Sequence, residues 1–305
     1  MKIAYALPRR VVTNDDLVRE FPEWTADKIA AKTGIRARHV AGEDETALDL
    51  AAAAAERLFV RERIDPASVG GLVLCTQTRD VPLPSPACLL QRRLGLPTAC
   101  AALAIDHGCS GFVYALSLAK GLLATGVARR VLVVTAETYT KYLAPDDKST
   151  RAVFGDGAAA TLLDADDLPG IGAFVFGTDG RGAEHLTVRD GRLFMDGPEI
   201  FDFTLEIVPR TLDEVLAAND MTREDVDLYV FHQANAFMLE TIREVTGLPR
   251  DRFYVNLETT GNTVSSSIPI ALAQLRESGR LTDGMRVVLM GFGVGLSWAA
   301  VVVRT

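Results

Sequence analysis

The sequence has no CxxC pair and no group of cysteines and histidines at zinc-binding spacing; its four cysteines, Cys75, Cys88, Cys100 and Cys109, stand apart from one another. That signals neither a metal site nor a disulfide framework and fits a reducing compartment. A basic block is also missing. With 40 acidic residues against 32 basic ones, the net charge of -8 argues against nucleic acid or an anionic membrane as a partner. The opening MKIAYALPRRVVTNDD has no apolar core of the about 7 to 15 residues that a signal peptide carries, so a cytoplasmic location is expected. One long uncharged run stands out, VVLMGFGVGLSWAAVVV at 287–303. Its central glycines and β-branched flanks predict strand, tight loop, strand rather than a membrane span.

What remains is an ordinary globular composition, 48% hydrophobic and 24% charged over 305 residues, enough chain for one large or two medium domains. Short Val/Leu/Ile-rich runs alternate with stretches of helical period, an α/β pattern. Strands are expected at 71–75, 102–106, 130–137, 227–233 and 286–292. A helix is expected over 45–59 with Thr46 and Asp49 as a capping box, and another after PSPACLLQ. The polar break DADDLPG at 164–170 divides the chain into halves of similar length, 1–165 and 166–305, with no internal identity visible between them.

Cys109 falls on the turn between an apolar strand, TACAALAID, and GCSGFVYALSLAKGLLATG, a helix apolar on nearly every face. A thiol at a helix N-terminus faces unpaired N–H groups and the positive end of the macrodipole, which favour thiolate, and Gly108 and Gly111 would allow a sharp turn and close approach of a substrate. A packing cysteine is the plain alternative, and Cys75, Cys88 and Cys100 are read that way. His232 stands where a strand gives way to a helix, the edge at which ligands bind open α/β sheets. Asn262 stands on a glycine turn before a helix that starts small and polar. Singly, each reads as a hydrogen-bonded structural residue; three such transitions together point to a site.

DHGCSGFVYALSLAKG, FHQAN, TTGNT and GFGVGLSW resemble, in order and spacing, the β-ketoacyl-acyl-carrier-protein synthase III group of thiolase-fold condensing enzymes. TGIRARH at 33–39, PSPACLLQRRLGLP at 84–97 and FGDGAAATLL at 154–163 extend the resemblance over nearly the whole chain. It implies two similar α/β halves stacked as α-β-α-β-α layers, Cys109 in the first and His232 and Asn262 in the second. It further implies that Cys109 takes an acyl group as a thioester and that His232 and Asn262 serve a decarboxylative condensation with a malonyl thioester. The chemistry agrees, since enolate charge on a thioester oxygen calls for donors, which a neutral imidazole and a carboxamide supply. The N–H groups of Cys109 and Val294, the latter between Gly293 and Gly295, are the expected oxyanion hole. No metal or resident cofactor is implied; the substrates are coenzyme A or carrier-protein phosphopantetheine thioesters. A homodimer is implied as well, in which the segment around Leu83 reaches the partner's acyl pocket.

Lys28, Lys148, Phe237, Leu83 and Phe292 are the expected substrate-contacting positions, and several depart from the family pattern. Phe237 stands where an arginine often docks the carrier protein. Lys28 replaces a tryptophan that stacks on adenine, with Trp24 further upstream, and Lys148 replaces the arginine opposite it. Val294 replaces a glycine and should reshape the cavity. His107 is read as structural or pocket-lining. Three other readings compete: transfer of the acyl group to a hydroxyl or amine, which Asn262 disfavours; a papain-like hydrolase, which lacks its CGSCW flanks; and a non-catalytic scaffold.

Overall fold

The computed structural model describes residues 1–305. Two open sheets are stacked with helices between and outside them. The N-terminal sheet has five strands in the spatial order Lys2–Ala6, Gly157–Asp164, Arg130–Glu137, Gly71–Cys75, Ala101–Ile105. The C-terminal sheet has four, in the mirrored order Leu228–Phe231, Arg286–Gly293, Ser297–Arg304, Ile171–Thr178. Starting from Lys2–Ala6 in one and Ile171–Thr178 in the other, both sheets make two antiparallel pairings and then a parallel one. Where the first sheet adds Ala101–Ile105 in parallel, the second has a single parallel bridge between Tyr229 and Phe253. The two sheets therefore share one pairing plan, although the residues that build them do not repeat.

Sequence chemistry explains the layers. Helices Gly111–Ala124 and Ser267–Glu277 pack against strands of both sheets and form the middle layer. There Phe112, Leu116 and Leu272 meet Val133 from one sheet and Val301 from the other. Helices buried on both sides must be apolar all round. Lys120, the first charge in Gly111–Ala124, is accommodated because its ammonium donates to the carbonyls of Ile171 and Gly172 at 2.6 and 2.8 Å. Helix Ala47–Glu62 covers the outer face of the first sheet, and its buried Ala51, Ala52, Ala54 and Ala55 let it lie close. Its start is the expected capping box: Thr46 Oγ1 accepts from the Asp49 N–H, and the Asp49 carboxylate accepts from the Thr46 N–H. Helix Gly197–Ala217 covers the second sheet, and Ala236–Thr246 packs beside it.

The run 287–303 folds as the antiparallel pair Arg286–Gly293 and Ser297–Arg304, in register from Arg286↔Arg304 to Gly293↔Ser297. No helix is long and apolar enough to cross a membrane. One expectation shifts: the helix placed after PSPACLLQ begins inside that stretch and spans Pro86–Arg93. Pro86 opens it, since a first-turn proline has the right φ and needs no N–H partner.

Candidate active site

Cys109 lies between strand Ala101–Ile105 and helix Gly111–Ala124 and is 6% exposed. The glycines around it act through packing. A Cβ on Gly291 would sit 2.4 Å from the Cys109 carbonyl oxygen, and one on Gly293 3.0 Å from its sulfur. The end of strand Arg286–Gly293 therefore rests directly on the nucleophile turn. Gly108 and Gly111 likewise are close-contact positions: a Cβ on Gly111 would lie 2.4 Å from Cys75 Sγ, and neither residue has a positive φ. Burial pushes the Cys109 thiol up to about 12, with the nearby Glu137 carboxyl adding to the rise; the N–H groups of Val294 and of Cys109 itself, directed at the sulfur, act in the opposite sense. The expectation of a resting thiolate is thereby corrected. Desolvation outweighs the helix terminus, and the sulfur rests as a thiol.

His232 follows strand Leu228–Phe231 and is 2% exposed, its N–H donating to the Met290 carbonyl at 2.8 Å. Burial lowers its pKa to about 3, only partly offset by the Val264 carbonyl, so the ring is neutral. Nδ1 lies 2.7 Å from Ser267 Oγ, at the head of helix Ser267–Glu277. Phe292 stands edge-on to the imidazole at 5.8 Å, one residue before the glycine that touches Cys109 Sγ.

Asn262 follows Gly261, whose φ of +66° turns the chain. The first half holds its backbone: the Asn262 N–H donates to the Val153 carbonyl at 2.9 Å, and its carbonyl accepts from the Gly155 N–H at 3.0 Å. Its side-chain Oδ1 accepts from the Val264 N–H at 2.9 Å, which leaves the amide hydrogens free to donate elsewhere. Val264 thus contacts both partners of the pair, through its N–H to Asn262 and its carbonyl to His232. It also shares an apolar cluster with Cys109 and Phe292. Cys109 and the surroundings of His232 and Asn262 are brought together by the hairpin loop and this turn.

The expected substrate positions spread more widely. Lys28 is exposed beside a depression of about 260 Å³ that Trp24 and Lys32 also line. Lys148 reaches the same place, its Nζ 5.4 Å from the Trp24 ring centroid and 2.7 Å from Glu23. Phe237 is exposed and stacked on Phe201 at 5.5 Å. Leu83 is 85% exposed. The His107 ring stacks near Tyr114 at 4.2 Å, and its buried Nδ1 has no partner.

Sequence reasoning passed over Ser267, Glu137, Tyr139 and Gln77. Ser267 stands in the small, polar start of a helix, a visible signal. Glu137 had none, because it ends a strand like any surface acid would, yet it is fully buried. Its carboxyl accepts from the Gln77 N–H, from Thr78 Oγ1 at 3.1 Å and from Ser265 Oγ at 2.7 Å.

Two stacked sheets of one plan, with a buried cysteine at a strand-to-helix turn and a neutral histidine and an asparagine nearby, define an acyl-transferring enzyme of the thiolase-like condensing class. Family models described as 3-oxoacyl-[acyl-carrier-protein] synthase III and its C-terminal part match residues 103–180 and 216–305. The β-ketoacyl-[acyl-carrier-protein] synthase III of Methylococcus capsulatus is 38% identical, over 98% of this chain and 96% of its own. That of Staphylococcus saprophyticus is 36% identical, over 99% and 96%. The crystal structure of a 3-oxoacyl-(acyl-carrier-protein) synthase III matches with a TM-score of 0.97 and 48% identity, over 99% of this chain and 98% of that one. The chain belongs to the β-ketoacyl-acyl-carrier-protein synthase III family and is a condensing enzyme of that type, a transferase.

Proposed function

We propose that Cys109 is the acyl acceptor and that His232 and Asn262 hold the enolate in the condensing step. The carrying observation is the set of donors: two backbone N–H groups directed at one buried sulfur, beside a neutral imidazole and a carboxamide with its hydrogens free. In the first half-reaction Cys109 Sγ attacks the acyl thioester. The N–H groups of Cys109 and Val294 stabilise the tetrahedral oxyanion, with Gly293 and Gly295 allowing the loop its approach, and the thiol proton leaves on the departing phosphopantetheine thiol. In the second, the malonyl carboxylate leaves as carbon dioxide and the electron pair passes into an enolate, whose oxygen accepts from His232 and Asn262. The enolate carbon then bonds to the acyl carbonyl, and Cys109 leaves as thiolate and takes up a proton. Loss of carbon dioxide supplies the electron pair without abstraction of a proton, so the condensing step needs neither side chain as a base.

Intact-mass measurement tests the division of roles. Incubation with acyl-CoA should add one acyl group, lost in Cys109→Ala. Asn262→Ala should still acylate while condensation slows by about 10²- to 10³-fold, the usual loss for an oxyanion donor; equal loss in both steps would refute the assignment.

We further propose that the chain works as two functional halves, 1–165 and 166–305, in the cytoplasm, with acyl-CoA or an acyl carrier protein as donor and a malonyl thioester as extender. Lys28 and Lys148 suit donor phosphates better than adenine stacking, and Phe237 offers a carrier protein an apolar contact in place of a charged one. A homodimer is favoured by strand Ala101–Ile105, which lacks charge, is half-exposed at every residue and pairs on one side only, and by the bare Leu83. Sedimentation at twice the chain mass of 32.9 kDa is the expected result, and a monomer would refute it.

A further inference from the structure

Ser110 follows Cys109 and holds the N-cap position of helix Gly111–Ala124, yet its hydroxyl makes no bond to that helix. Serine at this position ordinarily accepts from an N–H of the first turn. Here the backbone is already helical, with φ −83° and ψ −10°, and the fully buried hydroxyl turns to the other half of the chain. Ser110 Oγ lies 2.8 Å from Ser297 Oγ, which in turn lies 2.8 Å from the Val294 carbonyl oxygen. Ser297 is 4% exposed and stands opposite Gly293 across the hairpin.

The last acceptor sets the direction of both bonds. A carbonyl oxygen only accepts, so Ser297 donates to Val294, and the Ser297 oxygen accepts from Ser110. Both protons run one way, from the nucleophile turn to the loop over the sulfur, and bonds in such a chain strengthen one another. Val294 needs the support. It stands between Gly293 and Gly295, whose φ angles of +149° and +137° lie where glycine moves most freely. Beyond Gly295 the loop is tied to Asp179, whose N–H and carbonyl bond those of Leu296 at 2.9 and 3.0 Å. At Val294 itself the Ser297 hydroxyl holds the carbonyl of the same residue whose N–H is directed at Cys109 Sγ.

We infer that Ser110 and Ser297 brace the oxyanion hole, the two hydroxyls joining the nucleophile turn to the Val294 loop and fixing its N–H over Cys109. The inference rests on the acyl transfer to Cys109 proposed above. Both serines are positioning residues: they act through the Val294 N–H, whose work is to stabilise charge that develops only in the transition state. Loosening the brace therefore lowers the rate of acylation and leaves ground-state binding of the donor alone.

Acylation of Cys109 by acetyl-CoA and by butyryl-CoA, followed by intact mass over a range of donor concentrations, tests this. Ser297→Ala should slow the saturated rate by about five- to tenfold, with the half-saturating concentration unchanged. Ser297→Thr, which keeps the hydroxyl, should recover most of the rate. Ser110→Ala should slow it by about two- to threefold in the wild-type chain and no further in Ser297→Ala, because the two hydroxyls act in series. A rise in the half-saturating concentration as large as the fall in rate, or full additivity of the two substitutions, would mean that the serines only pack the core and would overturn the brace. So would unchanged rates in both single variants. Ser110→Ala leaves the Val294 carbonyl bonded and decides the matter alone if Ser297→Ala does not fold. Wild-type enzyme that takes no acyl group from either donor would overturn the Cys109 assignment, and the brace with it.

Discussion

Ser267 has one hydroxyl proton and two neighbours that compete for its oxygen. The Gln233 N–H donates to Oγ at 3.3 Å, and His232 Nδ1 lies 2.7 Å away. Oγ can donate one hydrogen bond and accept two, so the contact suits either tautomer of the ring. We propose that the hydroxyl donates to Nδ1, which keeps the imidazole hydrogen on Nε2, the nitrogen available to an enolate oxygen, and makes Ser267 a positioning residue. Ser267→Ala removes a hydrogen bond of about 0.5 to 1.5 kcal/mol, so condensation should slow by up to about tenfold with acylation of Cys109 unchanged. Ser267→Thr should recover the rate. Nitrogen NMR of the imidazoles, tractable with four histidines, should find the Nε2–H form in the wild type and a mixture in Ser267→Ala. A drop in acylation as large as that in condensation would mean that the substitution had merely loosened the fold.

The proposed site residues Cys109, His232 and Asn262 were singled out because each combines a reactive residue type with a strand-to-helix or turn-to-helix transition, which sequence does encode. The protonation state of Cys109 was not. A helix terminus is visible in a run of letters, but the depth of the layer packed over it comes from Gly291 and Gly293, residues far along the chain. Glu137 and Tyr139 escaped notice for the same reason.

At the scale of elements, the Thr46–Asp49 capping box and the hairpin within 287–303 depend on neighbours in sequence and were readable from it. The shared pairing plan of the two sheets depends on long-range register; the family resemblance implied two similar halves, but no residue pattern within the chain revealed them. The edge strand Ala101–Ile105 carries its own prediction. The Ala101 N–H donates inward to the Gly70 carbonyl, and alternation along a strand then turns the N–H of Ala102 to the open edge. Ala102→Pro therefore blocks the edge and spares the ladder to Gly71–Cys75, a position where proline is tolerated. Sedimentation should find this variant predominantly monomeric, with unchanged circular dichroism. A variant as dimeric as the wild type would mean that this edge is not the interface.

Over the whole molecule, stability should follow pH through two buried groups, of which Glu137 joins the halves. Glu137, on a strand of the first sheet, binds Ser265 from the turn that presents Asn262, and no cation pairs with it. Burial raises its carboxyl from 4.5 to about 8, against the bonds from Ser265, Gln77 and Thr78. The folded state therefore holds a proton that the unfolded chain releases, so the stability from this group is full below pH 4.5 and lost as pH rises through 8. His232, lowered from 6.5 to about 3, has the opposite slope: folding is penalised in acid, and the penalty fades as pH rises to 6.5. Glu137→Gln keeps an acceptor for the Gln77 N–H and removes only the first dependence. Urea midpoints for both proteins at several values from pH 5 to 8 should separate progressively, the variant gaining on the wild type by about 1.4 kcal/mol per pH unit at most. Parallel midpoints would mean that Glu137 is ionised throughout, its charge held by hydrogen bonds stronger than the cost of burial.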